Sequence, residues 1–89
     1  VTAEIKAFPN PFTQSLVENI STSSSQNISL QMFDVTGKLI LNKKLGQVQG
    51  TKTQTLSQND FGKLAPGTYI LHLLSDNKTQ KTIKLIKTQ

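Results

Sequence analysis

The fold class of this chain is decided by residues 27–41, which read NISLQMFDVTGKLIL. Apolar and polar residues alternate at the start of this stretch, so Ile28, Leu30 and Met32 share one face, as in a strand with one buried side. The DVTGK that follows predicts a turn, because Gly37 readily takes the positive φ that a tight hairpin needs. The stretch therefore predicts an antiparallel β-hairpin.

Strand signals recur on both sides of this hairpin. Short alternating runs predict further strands at residues 16–20, 39–45, 51–56, 69–74 and 81–87. Within these runs we expect three sets of side chains each to share one face of its strand: Leu16, Glu18 and Ile20; Leu39, Leu41 and Leu45; and Tyr69, Leu71 and Leu73. The one helical candidate, residues 57–64, is too short to be stable alone and is interpreted as a single turn or crossover loop. Together these signals predict an all-β fold, a small Ig-like antiparallel β-sandwich of about seven short strands.

Turn residues mark the connections between the predicted strands. The Ala-Pro-Gly-Thr sequence around Pro66 and Gly67 predicts a type II turn, in which proline sets φ and glycine supplies a positive φ. Residues 76–78, Asp-Asn-Lys, predict the turn of the last hairpin. The polar run STSSSQN at residues 21–27 predicts a loop. Pro9 and Pro11 lack the N–H of a central strand and predict an edge kink or a corner.

Composition narrows the classes of partner. The formal net charge is +5, from ten lysines and five acidic residues, with no arginine and no cysteine. Because arginine is the bidentate reader of guanine and phosphate, and the lysines are scattered, we expect no nucleic-acid partner. No apolar run approaches the roughly 20 residues that span a bilayer, so no transmembrane segment is predicted.

The chain offers few groups for catalysis or metal binding. His72 is the only histidine, and its place in an alternating strand predicts an outward polar residue. Asp34 and Asp76 both precede turns, where aspartate commonly bonds its own backbone. A weak calcium site joining Asp34 to Asn59 and Asp60 is the alternative that we keep open. We expect no catalytic residue, no metal and no cofactor.

The aromatic residues fit a structural role better than a binding platform. There is no tryptophan and one tyrosine, whereas faces that stack sugars or bases want exposed aromatic rings. All five are expected to plug the core and its corners, namely Phe8, Phe12, Phe33, Phe61 and Tyr69. The residues by themselves therefore favour a binding, structural or addressing module over an enzyme, and they leave those three open.

Four segments together resemble one known family. These are FPNPF at residues 8–12, FDVTGKLI at 33–40, LAPGTYIL at 64–71 and KLIK at 84–87. In order and spacing they are similar to the motifs of type A C-terminal sorting domains of the type IX secretion system. The resemblance covers the chain from Phe8 to Lys87. The one departure is Phe8, where the family commonly has tyrosine.

The resemblance implies a non-catalytic signal at the C-terminus of a larger cargo protein. The length of the chain itself predicts one domain over residues 1–89, with a short linker or strand at 1–7 and a core at 8–87. The partners that the resemblance implies would be the type IX outer-membrane translocon, its shuttle proteins and a sortase-like peptidase, which would cut at or before residues 1–6. The cargo would cross the periplasm and outer membrane of a Bacteroidetes-type bacterium to the cell surface or the medium.

The resemblance also suggests roles for individual residues. Candidate contacts with the translocon lie near the end of the chain and in the proline-glycine turn: Lys84, Leu85, Ile86, Lys87, Pro66 and Gly67. For Lys84 and Lys87 the alternative is a solvated strand face that protects an edge. Structural roles are expected for the remaining motif residues: Pro9, Asn10, Pro11, Phe12, Asp34, Gly37, Lys38 and Tyr69. Among these, Asn10 is expected to cap its own turn.

Two other functions and two association states remain open at this level. The first alternative function is an Ig- or fibronectin-like adhesive or spacer module of a secreted protein, binding carbohydrate or protein. The second is a fragment of an enzyme or inhibitor, which the lack of a catalytic constellation disfavours. We expect a monomer, with a weak dimer through a free strand edge as the alternative.

Overall fold

The computed structural model describes residues 3–88, so the expectations that involve residues 1, 2 and 89 lie partly outside it. Five strands and one helical turn make up the chain: β1 (Ala3–Phe8), β2 (Ser15–Asp34), β3 (Leu39–Ser57), α1 (Gln58–Phe61), β4 (Gly67–Ser75) and β5 (Lys78–Lys87). The all-β class and the single helical turn are confirmed. No helix in the described range is long and apolar enough to cross a membrane.

All strand pairs are antiparallel, and the sheet folds over on itself into two layers. The order along the sheet is β1-β2-β4-β5, with β3 paired to the other side of β2. The three-stranded layer contains β1, the first part of β2 and the last part of β3. The four-stranded layer contains the first part of β3, the last part of β2, and then β4 and β5. This is the predicted Ig-like sandwich, and Lys81 of β5 reaches Glu4 of β1 across its open side at 3.3 Å.

The strand count differs from the prediction because two strands run through both layers. β2 has 20 residues and β3 has 19, so each replaces two of the expected short strands. The loop predicted at residues 21–27 is wrong, since this run lies inside β2. The pairing register shifts between Thr22 and Gln26, where extra residues bend the strand from one layer to the next.

Hydrogen bonds explain how a serine-rich run stays in the sheet. The Thr22 hydroxyl donates to the Val48 carbonyl at 3.1 Å, and the Ser25 hydroxyl donates to the Gln47 side chain at 2.8 Å. A third bond joins the Ser75 hydroxyl to the Gln26 side chain. Side-chain hydroxyls thus satisfy polar groups where the ladder is interrupted, and a polar composition does not end the strand.

Bulges in β3 redistribute its leucines between the two faces. The register skips Ile40, so Leu41 pairs with buried Met32 whereas Leu39 pairs with Phe33 on the outer face. Leu39 is 47% exposed, while Leu41 packs against the core. The prediction that Leu39 shares a face with Leu41 and Leu45 is therefore wrong, because an inserted residue reverses the alternation.

One apolar core fills the space between the layers. Its buried members come from both layers, from α1 and from the segment between β1 and β2: Ala3, Phe12, Leu16, Ile20, Ile28, Leu30, Met32, Val48, Leu56, Phe61, Tyr69, Leu71, Leu73 and Leu85. The predicted inward sets in β2 and β4 are all present in this list. The alternation of these strands therefore predicted which side chains are buried.

Two of the predicted turns have different outcomes. The last hairpin is closed by Asp76 and Asn77, with φ values of 52° and 68°, which matches a two-residue turn with a positive φ at both positions. The type II turn at Pro66-Gly67 is wrong. Gly67 has a φ of 151°, far from the +80° of that turn, and it already begins β4.

Candidate recognition surface

The four motif segments meet at one end of the four-stranded layer. Asp34 pairs with Tyr69 across β2 and β4, and Tyr69 pairs with Leu85 across β4 and β5. Gly67 pairs with Lys87 at the same end. Residues that are far apart in the sequence are thus direct neighbours, and we call this region the motif end.

The segment at residues 9–12 lies along the outer edge of β5 and behaves like a partial sixth strand. The Phe12 amide donates to the Ile86 carbonyl at 2.9 Å, and the Thr88 amide donates to the Phe12 carbonyl at 2.8 Å. We call the contact between residues 9–12 and residues 84–88 the terminal clasp. It pairs backbone groups that an edge strand otherwise leaves open.

Asn10 extends the terminal clasp with its side chain. Its amide nitrogen donates to the Lys84 carbonyl at 3.0 Å, and its Oδ1 accepts from the Ile86 amide at 3.0 Å. The expectation that Asn10 caps its own turn is wrong, since both bonds go to β5. The peptide bonds that precede Pro9 and Pro11 are both cis, and these residues form the predicted corner between β1 and β2.

Phe12 anchors the clasp in the core. Its ring is fully buried and makes an edge contact with Phe61 of α1, with centroids 5.9 Å apart. The sequence expectation of a corner plug describes Phe12 well. It also means that the clasp cannot detach without exposing a large aromatic side chain to water.

The two terminal lysines lie on opposite faces of β5. Lys84 and Ile86 point outward and are exposed, whereas Leu85 and Lys87 point toward the core and are buried. The Lys87 ammonium donates to the Thr88 carbonyl at 2.6 Å. The alternative that both lysines lie on a solvated face is therefore wrong for Lys87, because strand alternation separates positions three apart.

The hairpin between β2 and β3 is fixed by Asp34. Its Oδ1 accepts from the Thr36 amide at 2.9 Å, the Thr36 hydroxyl at 2.6 Å and the Lys38 amide at 3.0 Å. These hydrogen bonds lower the pKa of Asp34, and the bond from the Thr36 hydroxyl has the largest effect. Gly37 has a φ of 91°, a conformation that other residues adopt rarely. The expectation that Asp34 bonds its own turn is confirmed.

Tyr69 links the start of β4 to the segment that leads into it. Its ring belongs to the core, and its hydroxyl donates to the Ala65 carbonyl at 2.6 Å. A buried tyrosine that bonds the backbone four residues upstream holds the chain where it enters the sheet. Pro66, which follows Ala65, is exposed at the motif end.

An apolar patch covers the outer face of the four-stranded layer beside the motif end. Leu39, Phe33 and Ile70 form a row across β3, β2 and β4, and Lys84 continues this row on β5. Val35 in the hairpin is 72% exposed and lines a shallow groove together with Phe33, Ile70 and His72.

This outer patch was missed by sequence reasoning. The expectation that all five aromatic residues plug the core is wrong for Phe33, which lies on the outer face 5.1 Å from the His72 ring, centroid to centroid. It is also wrong for Phe8, which is 45% exposed. His72 shares the outer face, as predicted, and is half-buried there. The available signal was the period of two, which puts Phe33 and Met32 on opposite faces.

A buried carboxyl lies on the core side of the three-stranded layer. Glu18 is fully buried between Leu16 and Ile20, and neither of its oxygens has a hydrogen-bond partner among the described residues. Burial, with a smaller contribution from Asp60, raises the pKa of Glu18 to about 8, and Lys43 acts in the opposite direction. The alternation Leu-Glu-Ile had placed Glu18 on this face, but its chemistry was not foreseen.

The acidic residues do not assemble into a metal centre. Asp60 caps α1 by accepting from the Ser57 amide at 3.0 Å, and it pairs with the Lys43 ammonium at 3.0 Å. Asp34 fixes the hairpin between β2 and β3, so the suggested calcium ligands Asp34 and Asp60 have separate structural roles. Among residues 3–88, no three side chains of His, Cys, Asp or Glu lie together in a group that could hold a metal ion.

Comparison with known proteins gives a family match over nearly the whole chain. Residues 6–88 match the model of the secretion system C-terminal sorting domain. No curated protein matches the chain.

Three solved structures share the fold. The dimeric latent PorU of Porphyromonas gingivalis superposes with a TM-score of 0.82 at 19% identity, over 97% of this chain and 9% of that one. A Listeria innocua β-glucosidase in complex with glucose superposes with a TM-score of 0.57 at 15% identity, over 98% of this chain and 16% of the β-glucosidase. The third structure is the alkylpurine DNA glycosylase AlkC of Pseudomonas fluorescens bound to DNA containing an abasic site analog. It superposes with a TM-score of 0.55 at 13% identity, over 98% of this chain and 30% of the glycosylase. The chain spans less than a third of each, and at these identities the likeness concerns the fold alone.

Proposed function

The chain belongs to the family of secretion system C-terminal sorting domains, and on that premise we propose that it directs a larger cargo protein through the type IX outer-membrane translocon. The cargo then leaves the cell or stays attached to its surface. The domain contributes recognition and no chemistry of its own.

The observation that carries this proposal is the meeting of all four motif segments at the motif end. Asp34, Tyr69 and Leu85 are consecutive neighbours across three strands, and residues 9–12 close the outer edge of the third. Residues that maintain a fold alone need not gather at one end of it, whereas a recognition surface must be contiguous.

Within the motif end the exposed side chains are the proposed contacts with the translocon. Lys84, Ile86 and Pro66 face solvent. Leu85 and Lys87 are buried, and we assign them the supporting role of holding β5 in place. Gly67 supports the same end through its positive φ at the start of β4. Four of the motif residues with expected structural roles maintain the shape of this surface: Asn10, Asp34, Gly37 and Tyr69.

The remaining partners follow from the same premise. A shuttle protein would receive the folded domain in the periplasm, and a sortase-like peptidase would separate it from the cargo near residues 1–6. We propose one domain over residues 1–89, in which β1 begins at Ala3 and Ala3 is itself buried in the core. A cut made after Ala3 would therefore remove core packing, and a cut before it would not.

An export assay tests the proposal. Residues 1–89 are fused to the C-terminus of a periplasm-directed fluorescent reporter, in a bacterium with a working type IX translocon and in a translocon-null strain. We expect the reporter in the medium or on the surface of the competent strain only. The reporter without the domain is the control and should stay in the periplasm of both strains. Retention of a demonstrably folded fusion in both strains would reject the sorting function.

A further inference from the structure

Resting on the proposed sorting function, we propose that the outer face of the four-stranded layer is the docking surface for an acidic protein partner of the export machinery. The surface extends from the exposed residues of β5 across Ile70 and Phe33 to Leu39 and Val35. It is wider than the terminal motif, and it recognises apolar groups surrounded by carboxylates.

The apolar part of this surface is continuous. Phe33 pairs with Leu39 on one side and with Ile70 on the other, so their side chains share the outer face. Three of the four exposed large hydrophobic residues of the described chain lie on this layer or its hairpin: Val35, Leu39 and Ile86, with exposures of 72%, 47% and 41%. Contiguous exposed apolar patches on small soluble domains commonly mark an interaction site.

The rim of the patch is basic. Lys84 flanks it on β5, and Lys44, paired with Ser29 on the same outer face, flanks it on β3. Both are exposed, and neither takes part in the two ion pairs between described residues, Lys43 with Asp60 and Lys81 with Glu4. Asp34 lines the same groove, where its Oδ1 is engaged by two hairpin amides and by the Thr36 hydroxyl.

This charge arrangement selects the occupant. A second copy of the domain, placed face to face, would bring lysine against lysine in a chain whose net charge is already +5. Like charges brought together at an interface are costly, whereas opposite charges steer and orient the encounter. A partner that carries carboxylates around an apolar contact fits the same surface without that cost.

The size of the surface suits a transient complex. Four strands at about 4.8 Å spacing and about seven residues at 3.3 Å per residue give a face of roughly 20 by 23 Å. The area of this face is about half of the roughly 800 Å² that each partner contributes to a stable interface. A sorting signal has to be released after transport, so an interface of this size is consistent with its task.

The test compares matched variants in the same reporter fusion. Leu39→Ser and Val35→Ser remove apolar contacts. Val17→Ser is the control, because it makes the same change as Val35→Ser on the outer face of the other layer, outside the four motif segments. Lys44→Glu with Lys84→Glu reverses the rim charge. Lys52→Glu with Lys63→Glu is its control, since both lysines are exposed and the change in net charge is identical. Urea unfolding midpoints establish that each variant folds.

We expect the Leu39, Val35 and rim variants to lower export roughly tenfold or more, as loss of interface anchors does, while the controls export normally. Equal loss in the controls, or no loss in the patch variants, would overturn the docking surface. Loss in the apolar variants without loss in the rim reversal would overturn the acidic partner. The unsubstituted fusion reports separately on the sorting function, because its retention in the competent strain would reject that function itself.

A membrane is the competing occupant, and a vesicle assay addresses it. The purified domain and its rim variant are sedimented with vesicles of phosphatidylethanolamine and phosphatidylglycerol. We expect no binding for either. Binding that the rim reversal abolishes would assign the surface to anionic lipid and overturn the protein partner.

Discussion

The Asn10 side chain holds Ile86 by its backbone. The Ile86 amide donates to Asn10 Oδ1 at 3.0 Å, although the two residues are 76 positions apart. With the second bond to the Lys84 carbonyl, the carboxamide offers β5 one donor and one acceptor, as a neighbouring strand would. The first and last motif segments are therefore one structural unit.

Replacement of Asn10 should weaken this unit without unfolding the domain. Asn10→Ala removes two hydrogen bonds in a solvent-exposed setting, where water partly replaces them, so we expect a loss of about 1–2 kcal/mol in the free energy of unfolding. Urea denaturation measures it. Asn42→Ala, an exposed asparagine of β3, is the control and should change stability by less than about 0.5 kcal/mol. An unchanged midpoint for Asn10→Ala would show that the carboxamide contributes nothing to holding β5.

The two terminal lysines should respond differently to truncation. Lys84→Ala removes an exposed side chain and should alter stability by less than about 0.5 kcal/mol. Lys87→Ala removes a buried stem and the bond to Thr88, so we expect a loss of about 1–2 kcal/mol. Thermal and urea unfolding measure both variants.

Lys87→Met separates packing from charge at this buried position. It keeps an unbranched apolar stem and removes the ammonium, so it should recover most of the stability that Lys87→Ala loses. If Lys87→Met is as unstable as Lys87→Ala, the ammonium bond and not the stem holds the strand end. An export defect of Lys87→Ala that Lys87→Met corrects would then reflect folding and not direct recognition.

Glu18 should make the domain less stable as the pH rises. Its pKa is about 8 in the folded state against 4.5 for an unperturbed glutamate, so between these values the folded protein binds more protons than the unfolded chain. The contribution of Glu18 is most favourable below about pH 4.5 and declines up to about pH 8. The full decline is on the order of 2–5 kcal/mol. Urea unfolding at several pH values measures it.

Glu18→Gln is the matched variant for this prediction. The amide has nearly the same shape and does not titrate, so the variant should be more stable than the parent at pH 8 and nearly equal to it at pH 4.5. Asp60 and Lys43 remain present in both proteins. Equal pH profiles for the two proteins between pH 4.5 and 8 would contradict a buried, protonated Glu18.

Loss of the Tyr69 hydroxyl should be costly because it leaves the Ala65 carbonyl without that donor. Tyr69→Phe keeps the buried ring, so we expect a loss of about 1–2 kcal/mol measured by urea unfolding. Thr53→Val serves as the comparison, since its hydroxyl bonds Asn19 at 2.8 Å on an exposed strand face. We expect the smaller loss there, and the reverse order would argue that the Ala65 bond does not fix the entry to β4.

Local alternation and turn chemistry were enough to predict the class of fold. The sets Ile28, Leu30, Met32 and Tyr69, Leu71, Leu73 are buried as expected, because burial of one sheet face imposes a period of two on the sequence. Asp34 and Gly37 likewise carry their turn in their own chemistry. The resemblance of four segments to one family added the function, which the residues alone had left among three classes.

The sequence could not predict where the alternation is interrupted. A bulge at Ile40 sends Leu39 outward, and the shift between Thr22 and Gln26 keeps a serine-rich run in β2. Bulges depend on pairing with a distant strand, and nothing within residues 39–45 reveals that a residue is skipped. The burial of Lys87 was missed for another reason, since the period of two places Lys87 with Leu85 and opposite Lys84, and that signal was available in the sequence.

By itself, then, the sequence determined the all-β fold, most of the core and the family, since each of these is written in short periodic patterns and local turn residues. Only the tertiary structure decided that Asn10 joins Ile86, that the buried Glu18 has no hydrogen-bond partner among the described residues, and that Phe33, Leu39 and Ile70 form one outward-facing row. The physical reason is the same for all three. Each is a relation between strands, fixed by register and by the packing of two layers, and no single segment contains it.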